Sequence, residues 1–106
     1  MPTPHHPSAA ARKVLSQLGA DLRDARRRRR LPMAVVADRA FTSRSTLQRM
    51  EAGDPAVSIG IYAAVLHALG LLDGLGRLAD PSMDPVGQAL ADEALPRRVR
   101  LKPAKD

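Results

Sequence analysis

Arg44, Ser45, Gln48 and Arg49 fall within six residues, interleaved with apolar Leu47 and Met50. On a helix this spacing turns Leu47 and Met50 inward and leaves the four polar side chains along one outer side. Their chemistry suits nucleobase edges. Arg grips guanine O6 and N7 with two bonds, Gln does the same to adenine N6 and N7, and Ser bonds to either, each good pair contributing about 1–3 kcal/mol of discrimination. Ser43, just before them, can cap the helix by accepting a backbone N–H bond. The same pattern is also that of any amphipathic surface helix, so the elements around it decide what it is for.

Those elements read as helices. Val14, Leu15, Leu18, Leu22 and Ala25 recur at steps of three and four residues and predict a first helix over residues 9–30. Pro32, suited to a first helical position, opens a short second helix over 32–39 with Met33, Val36 and Ala37 inside. Ala40, Phe41 and Thr42 form a tight connection to the third helix, which ends near Ala52 with Gly53 at the left-handed cap. Ser58 caps a fourth helix carrying Ile61, Tyr62, Val65, Leu66 and Leu69 before Gly70. Leu71, Leu72, Leu75 and Leu78 give a short fifth, and Asp84 and Pro85 start a weakly amphipathic segment through Ala94. Two short helices joined by about three residues, the second polar outside, are the arrangement that sets one helix in a major groove and braces it with the other. Residues 32–52 fit it.

Charge is segregated along the chain. Residues 12–53 carry eleven Lys/Arg against four Asp/Glu, residues 54–96 one Arg against six acids, and the last ten residues five Lys/Arg against one Asp. A basic half of this kind favours a polyanionic partner. Fourteen of the seventeen basic residues are Arg, which suits bidentate phosphate and guanine contacts. Arg26 to Arg30 form a patch for phosphates, or a solvated run drawn to a helix C-terminus by its dipole.

Other chemistries find little support. Without Cys there is no disulfide or thiolate metal site, and no apolar run approaches the roughly 20 residues that span a bilayer. His5, His6 and His67 lack companions for a metal site. No Ser, His and acid arrangement and no phosphate-binding Gly loop is present. We therefore expect no enzyme, no metal and no cofactor. The N-terminal stretch lacks the charged and apolar regions of a signal peptide, so a soluble, cytoplasmic protein is expected. The two aromatics, Phe41 and Tyr62, stand on separate elements and are expected to pack in the core rather than to stack on unpaired bases.

The stretch Leu31-Pro32-Met33-Ala34-Val35-Val36-Ala37-Asp38-Arg39-Ala40-Phe41-Thr42-Ser43-Arg44-Ser45-Thr46-Leu47-Gln48-Arg49-Met50-Glu51-Ala52-Gly53 resembles the core motif of the Cro/repressor (XRE) helix-turn-helix family, the resemblance extending over about residues 12–78. It implies a small residue at Ala37 for close helix approach and a structural ion pair between Arg26 and Glu51. It implies DNA contacts from Ser43, Arg44, Ser45, Thr46, Gln48 and Arg49, with Arg28 and Arg30 on phosphates. The family usually has Gln at Met33, bracing a phosphate contact, and Gly at Phe41, where the backbone takes positive φ. Loss of that Gln leaves phosphate binding to others, such as Arg27 to Arg30 and the N–H groups opening the second helix. The run from Thr42 to Glu51, with Gly53, Asp54 and Pro55 and residues 61–66, is similar to HipB-like antitoxins paired with HipA-like kinase toxins.

The expected protein is all-α: a five-helix, lambda-repressor-like DNA-binding domain over residues 9–80, after a flexible lead (1–8) and before an extension with a short helix and basic tail (81–106). It would be a homodimeric repressor on a palindromic operator in double-stranded DNA, meeting its partner copy through Leu71, Leu72, Leu75 and Leu78, and an antitoxin with a HipA-like kinase as further partner. The tail could serve as a DNA arm, a docking segment or an inert end. Two other readings stay open: a basic module without sequence preference, and a protein-interaction adaptor.

Overall fold

The computed structural model describes residues 6–95; His5, most of the lead and the basic tail lie outside the described residues. These residues form six α-helices and no strand. They divide into two compact units between Leu75 and Gly76.

In the first unit, α1 spans Ala9–Arg28. Its N-cap is Ser8, whose Oγ accepts the Ala11 N–H at 3.1 Å, so order begins within the expected lead. The helix stops two residues earlier than periodicity suggests. Leu31 N–H returns to the Arg26 carbonyl at 3.2 Å and Arg30 N–H to that of Arg27 at 2.9 Å, with Arg30 at φ 54°. This is the double hydrogen bond that closes a helix through one left-handed residue.

Helix α2 spans Met33–Arg39, and Pro32 is its N-cap at φ −65° and ψ 152° rather than its first helical residue. The Pro32 carbonyl accepts from Val35 and Val36 at 3.1 and 3.3 Å, and the proline's missing N–H costs nothing at either place. Helix α2 closes as α1 does. Phe41 N–H donates to the Asp38 carbonyl at 3.1 Å and Thr42 N–H to that of Ala37 at 2.9 Å, with Phe41 left-handed at φ 55°. The expectation that Phe41 packs in the core is wrong, since it is 96% exposed. A residue in the left-handed closing position turns its side chain away from the helix it ends.

Helix α3 spans Arg44–Glu51 and α4 spans Ile59–Leu69. Gly53 and Gly70 take the left-handed positions after them at φ 83° and 77°. Leu47, Met50, Val36 and Val65 are the largest fully buried side chains, joined in the core by Leu22 and Tyr62. The buried Ala37 presents only a methyl where α2 meets α3. Gly19, inside α1, sets the approach of α3: a Cβ there would lie 2.6 Å from both the Met50 and Glu51 carbonyl oxygens. Short α5, Leu72–Gly76, ends across the division.

In the second unit, a 3₁₀ turn at Pro81–Met83 starts on Asp80 and α6, Pro85–Ala94, on Asp84. The Asp84 carboxylate accepts the Gly87 N–H at 3.0 Å, as the Asp84 and Pro85 pair suggests, and Gln88 Nε2 donates to the Pro81 carbonyl at 3.2 Å. Neither element has a buried residue.

Candidate nucleic-acid interface

One buried pair anchors the C-terminal end of α3. Arg26 Nε donates to Glu51 Oε2 at 2.7 Å and Nη2 to Oε1 at 3.0 Å, while Nη1 reaches the Leu31 carbonyl at 3.1 Å. The fork ties α1, the loop before α2 and the end of α3 together. Two parallel charge-assisted bonds fix direction as well as distance. The Glu51 hydrogen bonds raise the Arg26 pKa further and outweigh the opposing effect of burial, with the Glu51 charge acting in the same sense.

At the other end of α3, Ser43 Oγ accepts the Thr46 N–H at 3.0 Å and donates to Thr46 Oγ1 at 2.8 Å. Ser45 Oγ lies 3.3 Å from Ser43 Oγ. Ser43 and Thr46 thus serve the cap first, and the Ser43 hydroxyl has little capacity left for an outside partner. Leu47 and Met50 are buried, and Arg44, Ser45, Gln48 and Arg49 are exposed. Arg49 is already engaged: its Nε donates to Asp54 Oδ2 at 2.8 Å. The Asp54 carboxylate also accepts the Ala56 N–H at 2.8 Å, and that backbone bond, followed by the Arg49 bond, holds its pKa below the usual carboxylate range. Among the described residues Arg44 and Gln48 hold no such bond, which leaves their donors available to bases.

Arg28 and Arg30 are both exposed, at and just beyond the end of α1. Of the cations nearer α3, Arg27 belongs to the expected phosphate patch, whereas Arg23 was not singled out. Arg23 and Arg27 line a depression of about 310 Å³ with Met33 and Gln48, and the Arg26 and Glu51 pair lines it too. The Arg23 Nε is buried without a hydrogen-bond partner among the described residues. The signal was present in the four-residue step from Arg23 to Arg27, which puts both guanidinia on one face of α1. The three Arg against one Glu make the depression electropositive, with Met33 in its lining.

Tyr62 is the other polar group buried without a partner. Its hydroxyl has none among the described residues, and desolvation, reinforced by the Asp54 charge, pushes its pKa up. Among the described residues no group of three His, Cys, Asp or Glu could hold a metal ion. Nor is any of their helices long and apolar enough to cross a membrane.

Residues 17–78 match the sequence model of the helix-turn-helix domain family. No curated protein and no solved structure gives a significant match. The match covers more than half the chain and contains α2, the four-residue connection 40–43 and α3. With these helices and that match, the chain belongs to the helix-turn-helix domain family, a membership that points to DNA binding and transcription regulation.

Proposed function

We propose that the protein is a sequence-specific repressor in which α3 enters a DNA major groove, Arg44 and Gln48 read base edges, and Arg23 and Arg27 hold a backbone phosphate at the α1 face. The observation that carries this reading is that Arg44 and Gln48 stand unengaged on the outer side of a helix fixed from behind by the Arg26 and Glu51 fork. Such a constellation works by binding, not catalysis. Arg49 keeps its Nη donors for bases or phosphates while its Nε holds Asp54, and the pair is exposed, so giving it up would also cost little.

The protein acts in this reading as a homodimer on a palindromic operator, with recognition helices about 34–36 Å apart. Support for dimerisation comes from Leu71 and Leu72, exposed at the end of the first unit. The lambda-repressor-like form of its five helices rests on the resemblance over about residues 12–78, and the role of antitoxin to a HipA-like kinase on that of residues 42–66. Exchange of Arg44 and Gln48 for Ala should each weaken binding to promoter DNA by about 1–3 kcal/mol at one operator position and leave thermal unfolding in place. Unchanged operator preference in both variants would refute the assignment. For the antitoxin role, co-purification of a kinase encoded beside this chain is the expected result, and the absence of such a gene counts against it.

A further inference from the structure

Four helices of the first unit end through a left-handed residue, and the residues in that position are Arg30, Phe41, Gly53 and Gly70. Glycine takes this conformation freely, whereas a side chain with a Cβ is strained in it, a bulky one above all. Phe41 carries that strain and is also 96% exposed, so its ring gains nothing from packing in the fold. A lone exposed apolar side chain is ordinary. One held in a strained backbone position points to a use outside the fold.

Its place in the chain names the use. Phe41 precedes by two residues Ser43, which caps α3, and by three the exposed Arg44. Three residues reach at most about 11 Å, about three base-pair steps along the duplex at 3.4 Å each. The N-terminal end of a recognition helix is the part that meets base edges, and apolar contact with the thymine methyl group is a recognised mode of reading them, with Phe among the residues that make it.

We propose that Phe41 is a specificity-determining residue whose ring makes apolar contact with a thymine 5-methyl on the wall of the groove entered by α3. The inference rests on the reading of α3 given above. It also makes the turn residue a part of the reading surface instead of a mere connector.

The test uses the full chain with its own promoter duplex and a scrambled duplex, comparing wild type, Phe41→Gly and Phe41→Leu. Phe41→Gly should bind the promoter about fivefold more weakly, the lower end of one base contact, with scrambled DNA bound as before and a melting temperature equal or higher. Phe41→Leu should keep most of the affinity. Thymines replaced singly by deoxyuridine then test the methyl directly. A site where the replacement weakens wild type but not Phe41→Gly is the expected result, and loss in Phe41→Gly without any such site overturns the thymine contact. Promoter affinity unchanged in Phe41→Gly, while wild type still discriminates promoter from scrambled duplex, overturns the Phe41 contact alone. A wild type that binds both duplexes equally overturns the contact together with the reading beneath it.

Discussion

Tyr62 offers a clean residue-scale observable, because the chain has one tyrosine and no tryptophan. Phenolate absorbance should titrate above the ordinary phenol value of about 10, since burial first and the Asp54 charge second disfavour ionisation. The folded value exceeds the unfolded one, so the contribution of Tyr62 is complete below the unfolded pKa and is lost as pH rises through the folded value. Tyr62→Phe should therefore unfold at higher pH than wild type in an alkaline denaturation series. The Arg26 and Glu51 pair makes a larger prediction: Glu51→Ala strands a buried guanidinium and should cost about 3–5 kcal/mol in denaturant unfolding. Both partners of that pair were legible from the family motif, as was the inward facing of Leu47 and Met50 from spacing. Phe41 was not, because apolar character argues for the core while the left-handed closing position of α2 throws the side chain out, and only the backbone shows which prevails.

At the scale of elements, the caps were the most legible part of the sequence. Ser43, Ser58 and Asp84 start their helices, and Gly53 and Gly70 follow theirs, because short polar side chains and left-handed backbone are chemical requirements at those places. Pro32 and the end of α1 shifted by one or two residues, since proline serves at the cap as well as inside it and Arg30 accepts a conformation that spacing does not record. Gly19 was silent. Within a helical pattern a glycine reads only as a weak position, and its purpose emerges from the crossing of α1 and α3. Gly19→Ala should destabilise by about 1–3 kcal/mol through overpacking, read by thermal unfolding, and should displace α3 enough to weaken promoter binding as well. Cost in stability with promoter binding unaltered would mean that the α1 and α3 contact does not set the position of the reading helix.

For the whole molecule, the legible feature is segregated charge: a basic first half, an acidic stretch and a basic end. Its consequence is salt-dependent binding, with log K falling against log salt at about 0.9 per phosphate neutralised. Arg23→Gln and Arg27→Gln combined should reduce that slope by about 1 and weaken all sequences alike, the opposite signature to Arg44→Ala. Sequence pattern could not reveal the electropositive depression, because Arg23, Arg27, Met33 and Gln48 come from three helices and meet only in the folded chain. The most direct test of the central claim is the affinity of the full chain for its own promoter duplex and for a scrambled duplex across a salt series. Promoter binding at least about 10³-fold tighter, falling steeply with salt, is the predicted result; equal, weak binding to both would contradict sequence-specific repression.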